Sequence, residues 1–258
     1  MAIIASLIML FLLGAPGVRL LASAARERRA PEFWCGLFFV GAAFGISARF
    51  FAIGFRFTDP DGVMLIDNAA HVALSIGLTA LVVFVLHVFH PESTGARAFG
   101  TAVVITGIAT TAYAVWERAT IGEQPATIIV TNSFRALPLA WVFFESVRYW
   151  RNMKRRAALG LADPVVLNRF MLWSVWTGGV TLVPVLALGL RVAILAIYGT
   201  EGLENGQVEA ILPRLLMVMR GVMMLVLPTV MVSLWLSFFP PQRYLDRVRT
   251  RAGAASIG

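Results

Sequence analysis

The chain contains very little cysteine, lysine and histidine, and each shortage excludes a class of site. Cys35 is the only cysteine, which excludes an intrachain disulfide and any metal site built from several thiolates. Lys154 is the only lysine, and it lies outside the apolar stretches. The histidines are His71, His87 and His90, all in or just after one apolar stretch, and one helix cannot supply both ligands of a bis-histidine haem. His87 and His90 lack the further ligands that a metal needs, so we predict no cofactor and no metal.

Charged residues are scarce as well. They make up 14% of the chain against 59% hydrophobic residues, and the mean hydropathy is +0.78. No polar stretch is long enough to fold by itself, so we predict one transmembrane domain over residues 1–240, followed by a basic cytoplasmic tail over 241–258. The net charge of +8 indicates contact with anionic membrane lipids rather than with nucleic acid.

Seven apolar stretches are long enough to cross a bilayer, which takes about 20 helical residues. Isolated strands cannot satisfy their backbone in lipid, so the pattern predicts an all-α bundle of seven transmembrane helices. The stretches lie near 2–24, 33–56, 65–89, 98–119, 126–150, 166–198 and 208–239. The sixth follows Asp163-Pro164, an expected helix start, and its length predicts that the helix protrudes, tilts, or breaks near Gly178-Gly179 and Pro184.

The distribution of basic residues predicts the orientation of the chain. Cations concentrate in the first connection, in the connection between the fifth and sixth stretches, and in the tail. The positive-inside rule therefore places the N-terminus outside and the C-terminus in the cytoplasm. The preference for arginine over lysine, with abundant alanine and glycine, suggests a GC-rich bacterium and hence its inner membrane. In the fifth connection, lipid headgroups or a partner protein would contact Arg148, Arg151, Lys154, Arg155 and Arg156.

Seven helices with an outside N-terminus resemble the plan of rhodopsins and G-protein-coupled receptors. The usual retinal Schiff base is excluded, because Lys154 is not in a transmembrane stretch. The chain also resembles a family of seven-helix hydrolases in placing Ser47, Asp67 and His71 in early helices. That family needs a late His-x-x-x-His, which is missing here. With no nucleophile–base pair and no full metal set recognisable, an enzyme is the least supported class.

The apolar stretches contain five arginines, each costing at least about 2.5–3.5 kcal/mol in a bilayer centre unless it finds a partner or water. In the predicted orientation most lie in the outer half of the membrane, with the acids Asp67 and Glu117. Asp67 and His71 are four residues apart and share one helix face. Because the arginines outnumber the acids, we predict a pocket that binds an anionic ligand. Its residues are Arg49, Asp67, His71, Asn132, Arg135, Arg191, Arg214 and Arg220.

These patterns favour a receptor- or sensor-like protein whose outward-facing pocket binds an anionic or amphipathic small molecule. Separate ion pairs that tie helices together would explain the same arginines, and would suit a structural subunit of a larger membrane complex that binds lipid or pigment. A transporter is a third alternative, disfavoured because the inner half of the stretches is nearly all apolar.

Overall fold

The structure is a computed structural model that describes the backbone of residues 2–55, 60–121, 124–204 and 207–255. The described side chains are fewer, and those of Arg214 and Arg220 lie outside them. The described ranges are almost entirely helical and contain no strand. Their helices are α1 Ala2–Glu27, α2 Ala30–Phe55, α3 Pro60–Phe89, α4 Thr94–Thr120, α5 Pro125–Ala158, α6 Pro164–Glu204, α7 Gln207–Phe238 and α8 Gln242–Ala255.

Helices α1 to α6 are each long and apolar enough to cross a membrane, judged by length and composition of the described residues. Helix α7 has 32 residues, and its described apolar part is Val226–Phe238. The expectation of an all-helical membrane protein is therefore confirmed. A seventh span and the direction of insertion stay predictions.

Helix α6 continues without interruption for 41 residues. The carboxylate of Asp163 accepts a hydrogen bond from the backbone amide of Val165 at 2.8 Å, and Pro164 is the first helical residue. This is the predicted helix start. The predicted alternative of a break near Gly178-Gly179 and Pro184 is not observed. A proline removes one backbone donor, and neighbouring groups in a membrane helix can compensate for that loss.

Contacts divide the chain into two compact units, residues 1–138 and 139–258, and each is described by itself. In the first unit, two reciprocal hydrogen bonds join α1 to α2. The Ser6 hydroxyl donates to the Ser47 carbonyl at 2.7 Å, and the Ser47 hydroxyl donates to the Ser6 carbonyl at 2.9 Å. Both serines are buried, so each hydroxyl needs such a protein partner.

Helices α2 and α3 pack backbone against backbone at glycines. A Cβ atom at Gly41 would lie 2.7 Å from the carbonyl oxygen of Ala73 and 2.9 Å from the Cα atom of Gly77. A Cβ atom at Gly45 would lie 2.8 Å from the carbonyl oxygen of Ala70. Small residues four apart permit this approach, which replaces the hydrophobic driving force that helices lack in lipid. The close packing fixes how the polar residues of α2 and α3 meet.

In the second unit, α6 packs against α7 and α8. The backbone of α6 comes close to the side chain of Val230 at Gly179. Farther toward the start of α6, the ring of Trp173 contacts those of Trp176 and Phe238, with centroids 5.6 and 5.8 Å apart. A small-residue contact and an aromatic cluster thus join α6 to α7 in this unit.

The predicted tail over residues 241–258 is helical through Gln242–Ala255. The Asn168 side chain donates from Nδ2 to the hydroxyl of Tyr244 at 2.7 Å, which ties α8 to α6. Leu245 on the same side of α8 is half-buried. Other positions of α8 carry exposed basic residues, and this combination is typical of an interfacial helix. They are Arg243, Arg247 and Arg249.

The glycine contact between α2 and α3 predicts a strong response to one methyl group. Gly41→Ala places its Cβ against rigid backbone, so the variant should lose about 1–3 kcal/mol of stability. Gly107→Ala is the matched control, since a Cβ atom there meets nothing within 4 Å and alanine favours helix. Thermal unfolding in detergent, followed by circular dichroism, compares the two. Equal midpoints for both variants would refute the close packing.

Candidate ligand-binding site

Three helices of the first unit carry polar residues along one face. Residues four or seven apart lie on the same side of a helix. On α3 such a series extends over twelve residues, or about 18 Å. The members are Asp67, His71, Ser75 and Thr79 on α3, Thr111 and Arg118 on α4, and Thr127, Thr131 and Arg135 on α5.

At one end of these series, the carboxylate of Asp67 contacts two arginines from two other helices. Its Oδ1 atom accepts a hydrogen bond from Arg49 Nε of α2 at 3.0 Å. Its Oδ2 atom lies 3.2 Å from a terminal nitrogen of Arg118 of α4. The side chain of Arg118 is 8% exposed, whereas that of Arg49 is 41% exposed. One acid therefore links α2, α3 and α4, and it presents one buried and one accessible guanidinium group.

His71 lies close to this carboxylate and is buried. The terminal nitrogens of Arg118 lie 2.8 and 3.0 Å from its two ring nitrogens. A neutral imidazole has one acceptor nitrogen, so only one of these contacts is a hydrogen bond. Asp67 Oδ2 is 4.0 Å from the ring, which exceeds a hydrogen bond. Arg118 is therefore the side chain in direct contact with the imidazole. We call Arg49, Asp67, His71 and Arg118 the Asp67 cluster.

Glu117, the second predicted counter-ion, is buried and is held by neutral donors. Its carboxylate accepts hydrogen bonds from the Thr127 hydroxyl at 2.7 Å and from the backbone amide of Gln124 at 3.1 Å. The Tyr113 hydroxyl also donates to it, and the charge of Arg118 acts on it. Glu117 thus joins the end of α4 to the start of α5.

Farther along the three series, residues of α3, α4 and α5 line a small, partly open cavity of about 30 Å³. Its lining includes the apolar residues Leu78, Val82 and Pro138. The Ser75 and Thr111 hydroxyls lie on its wall, 2.7 Å from each other. We call it the hydroxyl cavity, and its polar lining residues are Ser75, Thr79, Thr110, Thr111, Thr131 and Arg135.

The predicted pocket residues of the first unit lie in three places. Arg49, Asp67 and His71 lie together in the Asp67 cluster. Arg135 lines the hydroxyl cavity, and its charge also acts on His71. Asn132 is half-buried on α5 and is not part of the cavity lining.

The remaining predicted pocket residues lie in the second unit. Arg191 lies on α6 with an exposed side chain. The predictions for Arg214 and Arg220 fall outside the described side chains. Membership of all three in the pocket stays a prediction.

Sequence reasoning missed Arg118 and the hydroxyl-bearing residues. The sequence pattern gives Arg118 no site role, because the fourth apolar stretch ends beside it. Its separation of seven residues from Thr111 was the available signal, since that step returns to the same helix face. The spacing of Thr127, Thr131 and Arg135 carried the same information for α5.

Other candidate residues have structural partners. The Ser47 hydroxyl donates to a carbonyl of α1. His87 Nδ1 lies 2.8 Å from the Val83 carbonyl oxygen. Glu145 lies 3.5 Å from Arg148, the i,i+3 partner that its spacing suggests. No group of three metal-ligating residues occurs among the described His, Cys, Asp and Glu side chains.

Comparisons with protein-family models, with curated proteins and with solved structures found no match to this chain. The function is therefore inferred from the Asp67 cluster and the hydroxyl cavity.

The unequal burial of the two arginines predicts unequal costs of removing them. Arg118→Gln should destabilise the protein by about 3 kcal/mol, because it leaves the partly buried Asp67 carboxylate and His71 without their buried arginine partner. Arg49→Gln removes an accessible partner and should cost less than about 1 kcal/mol. Chemical denaturation in detergent measures both values. A larger loss for Arg49→Gln than for Arg118→Gln would contradict the described geometry.

Proposed function

We propose that this protein is a receptor- or sensor-like seven-helix protein of a bacterial inner membrane. In this proposal the N-terminus is outside, and the Asp67 cluster faces outward and binds an anionic or amphipathic small molecule. The observation that carries the proposal is the position of Arg49. Its side chain is 41% exposed, and its guanidinium group donates to Asp67 through Nε. A guanidinium group has further N–H donors, which suit a carboxylate or phosphate.

The balance of charge supports an anionic ligand. Among the described side chains of the Asp67 cluster and its neighbours, Arg49, Arg118 and Arg135 are permanently positive, whereas Asp67 and Glu117 are the acids. His71 can accept a hydrogen bond only in its neutral form, and this form contributes no charge to the balance. An anion beside Arg49 would offset the excess positive charge in a region of low dielectric constant.

The same geometry suggests how binding would change the protein. Asp67 connects α2 to α4 through Arg49 and Arg118. A ligand carboxylate that bonds to the remaining donors of Arg49 would share the positive charge of this guanidinium group with Asp67. Binding would therefore weaken the link between α2 and α3 while the buried link to α4 remains. Such differential contact is what allows a ligand to shift a conformational equilibrium.

The output of the receptor would lie on the cytoplasmic side in the predicted orientation. The end of α5 carries the run Arg148 to Arg156, and most of its basic residues are exposed. We propose that this run contacts anionic lipid headgroups or a cytoplasmic partner protein.

A structural subunit is the second candidate, because Asp67 and Glu117 already have partners within the chain. In that case the ionic contacts only hold helices together. A transporter is less favoured. On α3 the polar series ends at Thr79, and the next titratable residue is His87, about 12 Å away along the helix axis.

Anion-dependent thermal unfolding separates the first two candidates. The purified protein in detergent is titrated with acetate, succinate, inorganic phosphate and octanoate, with acetamide as the uncharged control. A receptor predicts a saturable rise of the unfolding midpoint with at least one anion, because a ligand that binds the folded state stabilises it. Arg49→Gln should abolish this rise.

Arg148→Gln is the matched control for this titration. It removes an exposed arginine that contacts Glu145 in the second unit, and it should respond as the wild type does. If Arg49→Gln kept the full response, or if none of the four anions acted, the Asp67 cluster would be a structural device.

A further inference from the structure

The hydroxyl groups of the hydroxyl cavity differ in whether their protons have acceptors within the protein. The Thr111 hydroxyl donates to the Gly107 carbonyl at 2.8 Å, so its single proton is committed there. Ser75 must then be the donor in its 2.7 Å contact with Thr111. Thr110 also donates to the Gly107 carbonyl, at 3.1 Å. The protons of these three hydroxyls all stay within the protein.

Thr131 differs from the other hydroxyls of the cavity. It is 5% exposed, and its hydroxyl has no hydrogen-bond partner among the described residues. Buried helical hydroxyls elsewhere in the chain donate to the carbonyl four residues earlier, as Ser146, Thr177 and Thr181 do at 2.7 Å each. A buried hydroxyl without a partner is costly. Thr131 lines the cavity, so an occupant of the cavity would accept its proton.

The positive charge of Arg135 at the cavity indicates which charge the occupant would carry. Arg135 lines the same cavity, and a guanidinium group donates hydrogen bonds but cannot accept them. An occupant that meets both Arg135 and the Thr131 hydroxyl must therefore be an acceptor. A negative charge is favoured further because hydrogen bonds to ions are about twice as strong as neutral ones.

The size of the cavity selects the class of anion. About 30 Å³ is room for about two water molecules, since one needs roughly 10–15 Å³ in this measure. A monatomic ion of halide size fits this space, whereas sulfate, phosphate and organic carboxylates do not. The hydroxyls of Ser75, Thr110 and Thr111 donate within the protein, so Thr131 and Arg135 are the donors that we assign to the occupant.

We propose that the hydroxyl cavity binds one halide-sized inorganic anion, held by Arg135 and the hydroxyl of Thr131. This inference deepens the proposed function, since Arg135 belongs to the predicted pocket, but it concerns a different position from Arg49. The ion would lie beside Arg135, whose permanent positive charge would stabilise it. The ion would also connect α5 to α3 and α4 at the inner end of the polar series.

Bromide tests the proposal, because it replaces chloride and scatters anomalously. Thermal unfolding is measured in sodium bromide, sodium chloride and sodium sulfate, each against sodium gluconate at equal ionic strength. The wild type should show a saturable rise of the midpoint with both halides and none with sulfate. Crystals soaked in bromide should give an anomalous peak beside Thr131 and Arg135.

Thr131→Val keeps the shape of the side chain and removes the donor, so halide binding should weaken about tenfold or more. Thr110→Val is the matched control, since its hydroxyl bonds only to its own helix, and it should bind bromide as the wild type does. Arg135→Gln should lose the halide response and gives a second variant should Thr131→Val fold poorly.

The outcomes separate this inference from the proposed function. Arg49→Gln should keep halide binding while it loses the response to organic anions or phosphate, and Thr131→Val should do the reverse. An unchanged halide response in Thr131→Val, equal responses to sulfate and bromide, or the absence of a bromide peak would each overturn the halide site. The last result would mean that water fills the cavity.

Discussion

The carboxylate of Asp67 lies between Arg49 and Arg118, and the polar interior of the first unit depends on that contact. Where water does not reach, a carboxylate or a guanidinium group must be satisfied by another group of the protein. A single acid shared by two arginines from two helices meets that requirement for α2, α3 and α4 together. The glycine contact of α2 with α3 at Gly41 and Gly77 brings the helices close enough for it.

The arrangement changes character along the helices. Near the Asp67 cluster, ionic side chains are partly accessible and a ligand could compete for them. Farther along, the hydroxyl cavity is small and its lining hydroxyls are mostly bonded within the protein. Apolar residues such as Leu78 and Val82 line the same cavity. A shared, partly accessible carboxylate thus lies at one end of the series, and a small cavity with hydroxyl groups lies at the other.

The helices could be located from hydropathy, because a membrane helix must be apolar over its whole length. The spacing of Asp67 and His71 also placed both on the face that the structure shows. Arg118 was missed, since a one-dimensional pattern does not tell whether a charge at a helix end turns outward or toward a neighbour. A sequence shows which residues share a helix face, whereas the meeting of faces depends on packing. The continuity of α6 through Pro184 likewise depends on local compensation that composition does not reveal.

A double-mutant cycle on Asp67 and Arg118 tests the central contact most directly. Stability to denaturant is measured for Asp67→Asn, Arg118→Gln and the double variant in the same detergent. If the carboxylate and the guanidinium group stabilise each other, the double variant should lose at least about 1 kcal/mol less than the sum of the single losses. Losses that add within about 0.3–0.5 kcal/mol would mean that the two groups are independent. That result would contradict the claim that the polar interior of the first unit depends on the contact of Asp67 with Arg118.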